Sequence, residues 1–470
     1  MALKYRIFLL TAVVVGALLT FYVLTLASND KQVLPEVPKA RSHMDHSAYF
    51  STPFKTGSDV TLACLKCHET AADEVMNTSH WNWEGPPVEI AGHQDKRRIG
   101  KKNLINNFCI AIEGNWPSCT RCHAGYGWSD NKFNFKDSSN VDCLACHDRS
   151  GQYRKGKSGY PEPDTDLQAA AQSVGFPKRE NCGLCHFYGG GGLGVKHGDL
   201  DNSLENASAE TDVHMGRGNL LCIDCHRTEK HDIKGVAFSV SVNHDNGIGC
   251  TDCHKGELHK DPRLNRHLKS VACQTCHIPS FADRVPTKMD WDWSKAGDDS
   301  RPDNVHEYLK IKGEFVYDQS VKPEYAWFNL NVDRYLIGDK MNPEKELVLN
   351  RPHGDIHDQN AKIWPFKVHR GKQPYDKVHN YLLSPVTAGD GGFWWEFNWD
   401  KAFRMGAERT GLPYSGEYGF AKTVMYWPIS HMVRSADQAL TCTECHSQGG
   451  RMNWNALGYS NDPMLTGGRQ

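Results

Sequence analysis

The sequence predicts a mainly α fold, low in regular secondary structure, in which the chain wraps around groups bound to it covalently. Three observations predict this. Sixteen of the 17 cysteines fall in eight C-x-x-C-H strings. Seven of those strings crowd between Cys64 and His277, their first cysteines 23 to 55 residues apart, which leaves little chain for a conventional apolar core. Helical patterns are brief: "DLQAAAQSVG" starts at an Asp166 cap and stops at Gly175, and "NWDKAFRMGAERTGL" reads as a helix capped by Asp400 and stopped by Gly411.

Two cysteines three apart lie on one face of a helical turn. Each can form a thioether to one vinyl group of the same porphyrin, and the adjacent histidine then reaches the iron. The cysteine pairs are Cys64 and Cys67, Cys119 and Cys122, Cys143 and Cys146, Cys182 and Cys185, Cys222 and Cys225, Cys250 and Cys253, Cys273 and Cys276, and Cys442 and Cys445. Their histidines are His68, His123, His147, His186, His226, His254, His277 and His446. Disulfide redox pairs and zinc sites share the cysteine spacing, but eight copies, each followed by histidine, exclude them. The expectation is eight covalent haem c groups and a multihaem cytochrome c fold, with the porphyrins forming much of the core.

At 470 residues the chain has room for two or three domains. Net charge is −2, without a basic arm or repeat, so a nucleic-acid partner is not expected. "IFLLTAVVVGALLTFYVLTLA", residues 7–27, carries no charge and is long enough to cross a bilayer. Lys4 and Arg6 precede it and would stay inside. Residues 1–27 therefore read as a signal anchor, or as a cleaved signal peptide ending near Thr25 to Ala27. Either way the rest lies on the periplasmic side of the cytoplasmic membrane, with a membrane or periplasmic electron donor. Residues 28–60 read as a linker and 61–280 as a seven-haem core. Residues 281–440 are haem-free, hold eight of the 13 tryptophans and are expected to pack on the core. Residues 441–470 carry the eighth motif and a tail that looks loosely held.

Sixteen of the 24 histidines lie outside the motifs, an ample supply for second axial ligands. His80, His214, His231, His267 and His431 stand in the most compact contexts; His244, His259, His369 and His379 are weaker candidates.

Several strings together resemble the octahaem tetrathionate reductase family: "GKKNLINNFCIAI", "NWPSCTRCHAGYGW", "NVDCLACHD", "DLQAAAQSVGFPKRENCGLCHFYGGGGLGVKHGDLD" and "LLCIDCH". The resemblance spans roughly residues 60 to 280 plus the last motif. It implies that the haem on Cys119, Cys122 and His123 takes a lysine, Lys196, as its distal ligand, with Cys109 and Asn106 close by; Lys155 is the fallback ligand. The family has an acidic residue three positions before that lysine, and this chain has Leu193. Read from the residues alone, the four glycines Gly189 to Gly192 would let backbone approach a flat ligand. Cys109 is the one cysteine outside the motifs, and Arg97, Arg98, Lys101 and Lys102 upstream are placed to draw an anion and to lower a thiol pKa.

The function these readings imply is an oxidoreductase of small anions or nitrogen oxides, splitting tetrathionate into thiosulfate or reducing nitrite or hydroxylamine, with Cys109, Lys196 and Asn106 at the site. The alternative is a non-catalytic electron carrier whose haems all have two histidine ligands.

Overall fold

The structure, a computed structural model, describes residues 43–469 except 91, 237 and 239–245. The expected membrane segment, linker residues 28–42 and His244 lie outside those residues. Among the described residues no helix is long and apolar enough to cross a membrane.

The motif-bearing region is built of short helices, some of them started by a polar cap. Helix α1, Gly57–Cys64, opens on a Thr56/Asp59 capping box and ends on the first motif cysteine. In α2, Leu167–Gln172, the Asp166 side chain accepts a hydrogen bond from the Ala169 amide, as a cap should. It ends before the expected Gly175, whose amide instead donates to His147 O (2.9 Å). Helix α3, Arg179–His186, carries the whole fourth motif.

The expectation of a mainly α chain fails in the haem-free segment, which folds into an eight-stranded sheet. Its strands are β1 Thr287–Asp292, β2 Tyr308–Leu309, β3 Gly313–Asp318, β4 Glu324–Phe328, β5 Leu347–Asn350, β6 Lys362–Asp376, β7 Tyr381–Leu382 and β8 Tyr418–Pro428. The path runs β2-β3-β1-β6-β8-β5, with β4 and β7 also paired to β6. Strand β6, 15 residues long, is the spine, antiparallel to β8 from Phe366↔Pro428 to Asp376↔Tyr418. Its sequence hides it: Pro365, Gly371 and Pro374 interrupt the pattern, and prolines argue against a central strand. Tertiary packing overrides that signal, because β6 is covered on both sides; Phe366, Lys367, Val368 and His369 are all buried.

The sheet positions the site. Trp291 and Trp293 from β1 and just after it, Phe315 from β3 and Trp427 from β8 share one apolar cluster with Ile105, Phe108, Ile110 and Val195. Segments 105–111 and 194–196, from the motif region, thus rest on strands from the haem-free segment.

Two smaller expectations are corrected. Helix α4, Trp399–Thr410, is capped by Asn398, whose side chain accepts from the Lys401 amide; Asp400 sits in the first turn and pairs with Arg404 at 2.8 Å. Gly411 closes it at φ 71°, the left-handed stop that glycine suits. The tail is not loosely held. Met452, Leu457 and Tyr459 are buried with Trp327 and Ile363. Trp327 Nε1 donates to Leu457 O (2.8 Å), and Arg469 Nη1 donates to Asp358 O and Ala361 O, both at 2.8 Å.

Candidate active site

Seven motif histidines face a second histidine. Ring centroids are 6.3 Å apart for His68 and His46, 6.2 Å for His186 and His80, and 6.4 Å for His147 and His231. They are 6.4 Å apart for His226 and His431, 6.1 Å for His254 and His214, 6.2 Å for His277 and His259, and 6.1 Å for His446 and His267. Two imidazoles ligating one metal from opposite sides, each through a bond of about 2 Å, stand roughly this far apart. The residues therefore fit haem iron between them. Thiols of different motifs also touch: Cys64 against Cys143, Cys122 against Cys185, Cys182 against Cys222, and Cys250 against Cys273. Groups held by those motifs would be close neighbours.

The five leading candidates each stand opposite a motif histidine, and so does the weaker His259. His46 was not singled out; it lies in the segment read as linker. His369 and His379 stand opposite none. His369 is buried in β6, where its Nδ1 donates to Asn107 Oδ1 (3.1 Å), and His379 stacks on Tyr381.

His123 differs. Among the described residues no second imidazole faces it; Trp81, Trp83, Trp128 and Phe133 surround it at centroid distances of 4.9 to 5.6 Å. One ring nitrogen bonds Trp81 O (2.7 Å), while the other, Nδ1, is buried without a partner. Burial pushes its pKa down to about 3, so the ring is neutral and able to ligate.

Cys109 projects from a tight loop closed by an Ile105↔Ala111 bridge. The Asn106 amide donates to Ile110 O (2.8 Å), and Asn106 Oδ1 accepts from the Cys109 amide (2.8 Å). Gln373 from β6 donates to Asn106 O (2.7 Å). Asn106 thus forms the turn that aims Cys109, an Asx-type role. Cys109 is partly buried, and burial pushes its thiol pKa up; the charges of Lys312, Lys288 and Lys101 pull the other way and lose. The expected acidified thiol is therefore corrected: desolvation outweighs the three lysines. Cys109 in turn raises the Cys119 thiol, second only to burial, which puts it beside the second motif.

Lys196 follows the glycine run. Gly190, Gly191, Gly192 and Gly194 all have positive φ, and a Cβ on Gly190 would come within 2.6 Å of the Phe108 ring. The run is thus required to bring Lys196 close to the Cys109 loop. Lys196 Nζ lies 5.0 Å from the Trp427 ring centroid and 5.9 Å from that of Phe108. Burial, then the Lys101 charge, push its pKa down to about 7, while Cys122 opposes them. Lys367 anchors its backbone, donating to Lys196 O (3.1 Å) and Val195 O (3.0 Å). Leu193 packs on Phe187, Leu204 and Met432. Asp199 serves His431, accepting from that residue's amide and from the Ser430 amide.

The fallback lysine is engaged elsewhere. Lys155 is buried in an ion pair with Asp142, which also accepts from Tyr126 and Tyr153 hydroxyls at 3.0 and 2.9 Å. Lys155→Met would leave that carboxylate buried without its cation, so a loss of about 3–5 kcal/mol is expected. Denaturant midpoints check this; loss of a haem ligand in the variant's spectrum would contradict the structural role. Of the four upstream basic residues, Arg97 and Arg98 are exposed and Lys102 pairs with Glu84 at 2.8 Å. Only Lys101 turns toward the site, 4.0 Å over the Trp83 ring. Lys288, Lys312, Lys367 and Trp427 were not legible as site residues.

A bacterial cytochrome c family model matches residues 288–449. The crystal structure of an octahaem cytochrome c from Shewanella oneidensis is 50% identical, with a TM-score of 0.85, covering 90% of this chain and 98% of its own. The chain belongs to the octahaem cytochromes c. An uncharacterised Archaeoglobus fulgidus protein is 27% identical over 241 residues, 40% of this chain and 80% of its own. The cytochrome carries eight covalently bound haem c groups on the motifs described above. Intact-protein mass spectrometry is expected to show eight haem additions, and fewer would mean an unloaded motif.

Proposed function

We propose that the cytochrome is a reductase of small oxidised sulfur compounds, tetrathionate first, with nitrite or hydroxylamine as further substrates, at the second motif. The observation that carries this is the contrast at His123: seven motif histidines face an imidazole, whereas among the described residues none faces His123, and Lys196 and Cys109 converge on its motif. The seven facing histidine pairs would each hold a haem iron, and His123 and Lys196 would hold the eighth. Haem c supplies one-electron chemistry, so a set of eight stores the two electrons that one S–S cleavage consumes. The chain is exported and takes its electrons from a membrane or periplasmic donor.

Cys109 supplies the nucleophile. Its thiolate attacks one of the two central sulfurs of tetrathionate, breaking the central S–S bond. Thiosulfate leaves, and a Cys109–S–S–SO₃⁻ adduct remains. Two electrons then cleave the adduct between the Cys109 sulfur and its neighbour, releasing the second thiosulfate and restoring the thiolate. Lys312, Lys288 and Lys101 offset part of the burial that raises the Cys109 thiol pKa. Asn106 fixes the loop. Nitrite and hydroxylamine need no thiolate and would depend on displacement of Lys196.

Exogenous-ligand titration tests the reading. Cyanide, nitrite or carbon monoxide is expected to bind one haem in eight. No binding at any haem would favour an all-six-coordinate electron carrier.

A further inference from the structure

Behind Cys109 stands a pair of lysines from the sheet that no ligand set uses. Lys288, on β1, is 2% exposed. Its Nζ lies 3.6 Å from the Trp291 ring centroid and 3.7 Å from that of Phe315, with Tyr317 at 5.5 Å. Lys312 precedes β3; Trp291 Nε1 donates to its carbonyl (2.6 Å), and its Nζ is 5.9 Å from the Trp394 ring. No carboxylate pairs with either amine among the described residues. Lys288 is buried and Lys312 partly so, and with no carboxylate beside either amine, an anion that entered would supply the counter-charge that a protonated amine there needs.

A second observation points the same way. The indole N–H groups of Trp293 and Trp394 are buried without a hydrogen-bond partner. Trp293 is fully buried and stacks on Trp291 at 4.5 Å, the ring beneath Lys288; Trp394 is the ring near Lys312. Native proteins rarely leave such donors unsatisfied, and their neutral N–H groups suit an oxyanion. Cys109 packs on the same apolar cluster as Trp291, Phe315 and Trp394.

We propose that Lys288 and Lys312, with the indole N–H groups of Trp293 and Trp394, form an oxyanion subsite beside Cys109. It holds one sulfonate of a dianionic polythionate while the Cys109 sulfur meets the neighbouring sulfane sulfur. This rests on the reductase reading and names its substrate class. Selection follows from charge: a doubly anionic substrate gains from both lysines, and an uncharged one gains nothing. Burial, then the Lys312 charge, push the Lys288 pKa down to about 6, so the lysine is poised to gain a proton as an anion enters.

Cys109 is the sole cysteine outside the haem motifs, which makes it a clean probe in the holoprotein. The rates of Cys109 alkylation by iodoacetate and by iodoacetamide are measured in the parent, Lys288→Met and Lys312→Met. The anion-to-neutral rate ratio is expected to fall about tenfold in each variant, the scale of local electrostatic enrichment in a lined cleft. Thiosulfate is expected to slow iodoacetate in the parent and to lose that effect in the variants. An unchanged ratio in both variants overturns the subsite, and so does a parent thiol that reacts with neither reagent. If Lys288→Met fails to fold, the partly exposed Lys312 carries the test. A charge-dependent ratio with no tetrathionate turnover would keep the subsite and sink the reductase reading. Turnover with a charge-independent ratio would do the reverse.

Discussion

Cys109→Ser is expected to lower tetrathionate turnover at least about a hundredfold, the loss that follows when a covalent group is removed and only binding and electrostatics remain. The substitution changes little in volume. It leaves intact the Asn106 turn, which bonds the Cys109 backbone and not its side chain. A serine hydroxyl in that place is far less acidic than a thiol and does not form the S–S adduct. Hydroxylamine and nitrite bypass the adduct, so their reduction is expected to fall much less. Both activities are to be measured in one preparation with haem content and spectra matched to the parent. Intact tetrathionate turnover would return Cys109 to a packing role against Trp291 and Phe315. An equal loss of all activities would make it a structural or proton-handling group.

The cofactor content was legible because its chemistry is local: two cysteines and a histidine within five residues specify a haem whatever the fold does around them. Asp166 and Gly411 were legible for the same reason, each acting on its own helix end. The sheet was not, since β6 is a strand by virtue of what lies on either side of it, and its prolines and glycine argue locally against it. His46 was hidden by a similar dependence. A histidine inside a polar stretch carries no mark of the His68 ring 6.3 Å away. At Cys109 the sequence showed the upstream basic residues but neither the burial that outweighs them nor Lys288 and Lys312, about 180 and 200 positions further along the chain. Charge is readable from composition, whereas desolvation belongs to the folded state.

Lys196→Ala is expected to convert one haem in eight to a high-spin form and to leave seven low-spin. The seven paired histidines share a narrow range of separations, 6.1 to 6.4 Å, so nothing in them should respond to a side chain at residue 196. Lys196 is held by features that survive its truncation. The Gly190 to Gly194 backbone keeps its positive-φ path, and Lys367 still donates to the carbonyl of residue 196. The loss is therefore of one amine, not of the segment. That amine, pushed down to about 7 by burial, has a substantial neutral fraction at neutral pH, and only the neutral form has the lone pair a metal needs. Low-temperature electron paramagnetic resonance and the high-spin charge-transfer band would read the change, with the Lys155→Met variant as control, because its amine is committed to Asp142. An unaltered spectrum in Lys196→Ala would remove the lysine from the iron. Loss of two or more low-spin haems would show instead that the segment between the fourth and fifth motifs had collapsed.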